Sequence, residues 1–261
     1  MATAREAEAD MKQSPVFTDV NLFTSDTPLR EAVAREGVAD SAESLAAFGR
    51  IAGSAAAAEL GRQANEHTPR LRAFDAQGRR LDRVEYHPAN HRLMGFSTAQ
   101  GLHFSSWEYL ARGSYPQPGA HVARCAGGYM AAQMEAGHCC PITMTHAAVA
   151  AIRHEPVLLR SVLPKLVARS YDPRFAPWQK KQAITIGMGM TERQGGTDVR
   201  TNMTTATPLN GNGGGKAYAI SGHKWFLSAP MSDAFLVLAQ AKGGLSCFFM
   251  PRFTPDGRST G

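Results

Sequence analysis

The stretch Ala183-Ile-Thr-Ile-Gly-Met-Gly-Met-Thr-Glu-Arg-Gln-Gly-Gly-Thr-Asp198 divides the chain into two kinds of sequence. Residues 183–190 read as a buried strand. The strand then opens into a loop with hydroxyls at Thr191 and Thr197 and consecutive glycines at Gly195 and Gly196. Missing Cβ atoms let such a loop bring backbone N–H groups against an anion or a flat polar ring.

On the N-terminal side the pattern is helical. Asp26-Thr27-Pro28 offers a cap followed by a first-turn proline, and Gly37 sits where a helix would close. Asp40-Ser-Ala-Glu43 has capping-box form and precedes Leu45, Phe48, Ile51 and Ala55, which predicts one helix running to about Ala64. Thr68–Asp82 is turn-rich, and its Arg70, Arg72, Arg79, Arg80 and Arg83, interrupted by Asp75 and Asp82, read as a solvated turn. His87-Pro88 starts another helical run ending near Gly113, and further helices are predicted near 119–137, 143–154 and 156–169. Prolines and aromatics at 172–178 end this region. On the C-terminal side the composition suits strands at Val199–Thr207, Tyr218–Ser221, Lys224–Ser228, Ala234–Ala241 and Leu245–Met250. Helices followed by strands imply an α+β chain with segregated parts, not a doubly wound sheet. The boundary falls near 175–183.

Length and composition agree with this division. The 261 residues, 43% hydrophobic and 19% charged, suffice for a packed core of one large or two modest domains. No apolar run approaches the roughly 18 residues needed to cross a bilayer. Met1–Asp10 carries three acids and no apolar segment, so a cytoplasmic location without membrane association is expected. The four cysteines, Cys125, Cys139, Cys140 and Cys247, read as reduced, buried thiols. The net charge of +6 is compatible with nucleic acid, an anionic cofactor or neither.

Several chemistries are excluded by spacing. A phosphate loop ending at Lys216 would need Gly at 210 and Ser or Thr at 217, where Asn210 and Ala217 stand. The Gly211-Asn-Gly-Gly-Gly215 run is therefore a flexible hairpin loop. Gly187-Met-Gly189 lacks the third glycine and the βαβ setting of a dinucleotide fold. His87 and His91 lack the glutamate of a zinc helix, His138-Cys139-Cys140 has no second ligand pair, and no GxSxG occurs. No metal ligands are assigned. What remains is Gly222-His-Lys-Trp-Phe-Leu-Ser-Ala-Pro230, where aromatic residues precede a hydroxyl as a flavin ring would need.

At this point the motifs resemble a known family. Met190-Thr191-Glu192-Arg-Gln-Gly195-Gly196-Thr197-Asp198 resembles the MTEPxAGSD signature of the acyl-CoA dehydrogenases, with Arg193 for proline, Gly195 for alanine and Thr197 for serine. Gly222-His-Lys224-Trp-Phe226-Leu-Ser228 is similar to their GxKxWIT segment, with Phe226 and Ser228 for tryptophan and threonine. Together with Cys140–Thr145, Glu59–Arg62, Phe74–Asp82 and Gly244–Phe249, the whole run from about 15 to 257 resembles the alkylation-inducible AidB branch.

The resemblance implies an all-α N-terminal domain, an antiparallel β-barrel middle domain and FAD. The expected organisation is a flexible 1–20, a helical domain over 21–180 and an incomplete β domain over 181–261. By position, Met188, Gly189, Met190, Thr191, Glu192, Gly195, Gly196 and Thr197 would line the isoalloxazine and pyrophosphate. Thr191 would bond the flavin and Thr197 the phosphates, and Phe226, Leu227 and Ser228 would pack on the ring, with Ser228 near N5.

The family's proton-abstracting glutamate, its subunit contacts and the branch's main DNA-binding region lie in a C-terminal helical domain beyond the motifs present here. No catalytic residue is therefore assigned. Pro255-Asp-Gly257 is a turn signal with four residues after it, so the expectation is a truncated chain with weak FAD binding and negligible turnover. For the complete protein two functions follow: oxidation of an acyl-CoA, or DNA binding by a flavoprotein that limits alkylation damage. A homotetramer and DNA binding are expected of the full-length protein and not of this part.

Overall fold

The computed structural model describes residues 14–37, 40–254 and 257. The flexible N-terminus expected over 1–20 lies mostly outside the described residues, as do Pro255 and Asp256 of the turn signal.

The helical region contains α1 (Thr27–Glu36), α2 (Ser41–Ala52), α3 (Ala55–Glu66), α4 (Pro88–Ala99), α5 (Glu108–Arg112), α6 (Ala120–Met134), α7 (Cys139–Ile152) and α8 (Pro156–Leu166). Asp26 caps α1 by accepting the Leu29 N–H at 2.9 Å. Asp40 makes no such bond to α2. The single helix expected over 40–64 is broken at Gly53-Ser54, because the Ser54 hydroxyl accepts the Ala57 N–H at 3.1 Å and starts a new helix. A Cβ on Gly53 would stand 2.0 Å from the Val20 carbonyl oxygen, so the break also seats the N-terminal segment.

The arginine-rich stretch read as a turn is an antiparallel hairpin, β1 (Arg70–Phe74) and β2 (Arg80–Glu85). Its alternating Arg, Leu and Ala disguise a strand as a charged loop. Three of its arginines are matched locally, Arg72 by Glu85, Arg79 by Asp75 and Arg80 by Asp82.

The C-terminal region is one five-stranded sheet of β3 (Ile186–Gly189), β4 (Thr205–Pro208), β5 (Tyr218–Ser221), β6 (Ala234–Ala241) and β7 (Gly244–Pro251). β7 pairs along all of β6. β3 takes the first half of the other edge of β6, and β4 joins that edge at Gln240. A helical region followed by a β domain is borne out, with two corrections. The sheet is mixed, since β3 and β4 both run parallel to β6, and it stays open instead of closing into a barrel. The chain reverses at the β4–β5 hairpin and again before β6, which returns β6 parallel to β3.

Two apolar clusters fill the interior. One, around Leu45, Phe48, Leu93 and Met130, belongs to the helices. The other joins Val149, Ile152, Val162 and Leu166 to Ile184, Ile186 and Leu236, so helices and sheet share a core. A polar contact fixes the same seam, with the buried Thr145 hydroxyl accepting the Ile186 N–H at 2.9 Å. The loop 211–215 packs its bare Gly214 against Glu155, where a Cβ would lie 2.9 Å from the carboxylate.

Candidate functional site

The two motif segments lie side by side at the end of β3. The Ser228 N–H donates to the Met188 carbonyl at 3.3 Å, and the Trp225 N–H to the Thr191 carbonyl at 3.0 Å. Close approach is possible because β3 is glycine-bearing: a Cβ on Gly187 would meet the Ser228 oxygen at 2.7 Å, and one on Gly189 would meet Leu227 at 2.8 Å. The expected strand Lys224–Ser228 is absent. Phe226 (φ 54°) and Ala229 (φ 51°) occupy the left-handed region, which breaks any ladder and leaves only an isolated bridge between Met188 and Ser228. Likewise the expected strand 199–207 begins only at Thr205, since Asp198 accepts the Arg200 N–H and caps a short 3-10 turn at Val199–Thr201.

A buried carboxylate holds the platform together. Glu192, 3% exposed, accepts from Lys224 Nζ (2.8 Å), the Thr204 hydroxyl (2.6 Å), the N–H groups of Met203 (2.7 Å) and Thr204 (3.0 Å), and the Gln194 amide (2.8 Å). Burial raises its pKa, but Lys224 and the other donors outweigh burial and hold the carboxyl well below the usual carboxylate range. Glu192 is therefore ionised and turned inward onto Lys224 and Thr204. Nearby, the Asn202 amide donates to the Met190 carbonyl at 3.0 Å, and Gln240 of β6 donates to the carbonyls of Arg200 and Asn202.

Outside this clamp the platform is open. Phe226 is 78% exposed in a strained backbone conformation, with its ring 5.7 Å from that of Trp225. Thr191 and Ser228 are half-buried and Thr197 is exposed. A Cβ on Gly195 would meet nothing, whereas one on Gly196 would press on the Thr191 hydroxyl at 2.7 Å. An exposed aromatic face, the hydroxyls of Thr191, Thr197 and Ser228, the last donating to the Phe226 carbonyl at 3.2 Å, and a glycine turn fit a flat polar ring carrying an anionic tail. The nearest acids are already matched, Glu192 by Lys224 and Asp198 by Arg200 at 2.7 Å. Strain at an exposed aromatic is a mark of function over packing.

Met188, Gly189, Met190, Thr191, Phe226, Leu227 and Ser228 are thus brought together along the paired segments, and Gly195, Gly196 and Thr197 form the open turn beside them. Lys224, Thr204 and Asn202 are structural members of the site that sequence reasoning did not single out. The only signal for Lys224 was its place in the second motif.

The remaining expected features behave as ordinary structure. The cysteines are free, but three of them, Cys125, Cys140 and Cys247, are exposed, which corrects the expectation of buried thiols. His87 caps α4 by accepting the Ala89 N–H, and His91 meets the Tyr171 hydroxyl at 3.2 Å. Among the described residues no His, Cys, Asp or Glu group is arranged to hold a metal, and no helix is long and apolar enough to cross a membrane.

Comparison with known proteins gives two family matches. Residues 12–173 match the adaptive response protein AidB N-terminal domain, and residues 187–260 match the acyl-CoA dehydrogenase middle domain. The chain is 48% identical over 239 residues to AidB of Escherichia coli (strain K12), covering 91% of this chain and 42% of that protein. It is 29% identical over 182 residues to acyl-CoA dehydrogenase family member 11 of Caenorhabditis elegans, covering 69% of this chain and 28% of the relative. Among solved structures, the apo form of Bd2924 superposes with a TM-score of 0.80 at 26% identity, over 95% of this chain and 49% of that one. The C. elegans ACDH-11 complex with C11-CoA gives 0.77 at 24% identity, over 100% and 45%, a likeness of fold. The chain spans less than half the length of each of these relatives.

Proposed function

The chain belongs to the AidB branch of the acyl-CoA dehydrogenases, and from that premise we propose that segments 188–197 and 224–228 form a binding platform for FAD. The observation that carries this reading is the backbone pairing that sets Met188 against Ser228 and Thr191 against Trp225. It supports a platform in which the exposed Phe226 ring stands near the hydroxyls of Thr191 and Ser228. In this reading Phe226 and Leu227 support the ring, Ser228 and Thr191 offer hydrogen bonds at its polar edge, and Thr197 with the bare Gly195-Gly196 turn faces the phosphates. Glu192 and Lys224 position these groups from below without touching the cofactor. FAD supplies a hydride acceptor to such proteins when bound.

For a protein of its relatives' length the reading is dehydrogenation of an acyl-CoA thioester in the cytoplasm, with a proton-abstracting base that the motifs of this chain do not supply. A second reading, a flavoprotein that binds DNA and limits alkylation damage, is favoured by the AidB-type helical region. DNA affinity that falls steeply with added salt supports the second reading, and acyl-CoA turnover without such affinity supports the first.

Titration of this chain with FAD, followed by flavin fluorescence and visible absorbance, tests the platform. Saturable quenching is expected, weakened at least tenfold by Phe226→Ala or Thr191→Val. Quenching that does not saturate, or that both variants leave unchanged, overturns it.

A further inference from the structure

A polar cavity of about 270 Å³ lies before the start of β3, between the β1–β2 hairpin, α4, the 171–174 linker, Lys181 and Thr185 of the segment leading into β3, and Met231. Thr185, which lines it, precedes Met188 of the platform by three residues, about 10 Å at strand rise, and none of the platform residues lines the cavity. One wall is aromatic. The His91 ring stacks on Tyr171 with centroids 5.8 Å apart and meets Tyr86 edge-on at 6.3 Å.

The charges around the cavity are unequal once their partners are counted. Lys181 is paired with Asp233 at 2.6 Å, both 4% exposed. Arg174 is paired with Asp172 at 2.6 Å, and Glu85 with Arg72 at 2.9 Å. Arg83, at the mouth, forms no ion pair among the described residues and lies over the Phe175 ring at 5.9 Å. Its field reaches into the cavity, where the His91 pKa is pushed down by burial first and by Arg83 second. A positive charge that no acid among the described residues meets, beside a stacked aromatic wall, selects for an anion carrying a ring. The volume is slightly below the roughly 300–1,000 Å³ of pockets for drug-sized ligands, which limits the occupant to a single ring.

We propose that this cavity binds a small aromatic carboxylate, its carboxylate on the Arg83 guanidinium and its ring against Tyr171 and His91. The Tyr86 and Tyr171 hydroxyls then face any polar substituent on the ring. The site is independent of FAD.

Calorimetric titration of this chain with benzoate, acetate, inorganic phosphate and benzyl alcohol tests it. Benzoate is expected to saturate at one site, with acetate, phosphate and the uncharged alcohol at least tenfold weaker. Arg83 is exposed, so Arg83→Gln should leave the fold intact while raising the benzoate Kd at least tenfold, and Arg83→Lys should recover part of the loss. In the histidine NMR spectrum, benzoate should move the His91 ring resonances, because its ring would lie against the imidazole. Benzoate no tighter than acetate or benzyl alcohol, an unchanged Kd in Arg83→Gln, an unmoved His91 or competition by FAD each overturns the proposal.

Discussion

Lys224 Nζ and Glu192 Oε1 meet at 2.8 Å across 32 residues of sequence, with both side chains nearly excluded from solvent at 10% and 3% exposure. This pair ties the loop after β3 to the aromatic segment. Removing one partner strands the other charge in a site nearly closed to solvent. Lys224→Met and Glu192→Ala are each expected to cost about 3–5 kcal/mol in urea unfolding, the range for breaking a buried pair. In a double-mutant cycle the two losses should be strongly non-additive.

Gly187 is the point where β3 lets the 226–228 segment lie against it. Gly187→Ala forces a Cβ to 2.7 Å from the Ser228 oxygen and 2.8 Å from the Phe235 ring. Overpacking of this kind costs about 1–3 kcal/mol. The thermal midpoint should fall, and FAD titration should show weaker binding than in the parent chain.

Phe226 is strained and gains little from burial at 78% exposure. Phe226→Gly relieves the left-handed backbone and is expected to change stability by less than about 1 kcal/mol in either direction, since glycine also loosens the unfolded chain. The same variant should lose flavin quenching. A residue kept only for packing would show the reverse, a large stability loss with binding retained.

Stability should fall on the acid side. Burial pushes His103 and His146 down to about 4, with neighbouring positive charges such as Arg124 adding to it. Groups held neutral by the fold contribute stability above their unfolded pKa, so the contribution is complete above about 6.5 and lost as pH falls toward 4. Chemical unfolding at pH 7, 5.5 and 4.5 should show the decline, and His146→Phe should flatten it.

The buried His138 works in the opposite direction. Burial alone would lower its pKa, but Cys139 and Glu135, whose carboxylate lies 3.2 Å from Nδ1, raise it to about 9. Glu135 is held down at about 2, chiefly by its hydrogen bond to His138. The His138 contribution is complete below about 6.5 and lost as pH rises through 9. Glu135→Gln should remove this alkaline slope, measured as unfolding free energy between pH 7 and 9.5.

Much of the fold was written in local sequence. The cap at Asp26, the paired glycines at 195 and 196, the change from helical to strand composition near 175–183 and the two family motifs were all readable by residue type and spacing, because caps, turns and periodicity act over a few residues. The hairpin at 70–85 was hidden by its arginines: Arg79 and Arg80 meet Asp75 and Asp82 locally, but the match of Arg72 to Glu85 depends on cross-strand register. The break at Gly53-Ser54 was hidden by a continuous apolar pattern, since it serves a contact with Val20 far away in sequence.

The sequence by itself determined the family motifs, the segments expected to meet a flavin and the motif chemistries that the spacing excludes. Only the tertiary structure decided how they stand: that Glu192 turns inward to Lys224, that Phe226 turns outward under strain, and that the sheet is mixed and open. These are choices about which distant groups become neighbours, and desolvation sets their energies. A carboxylate is a ligand contact on a surface and a clamp in a core, and its burial depends on segments that the linear order keeps apart.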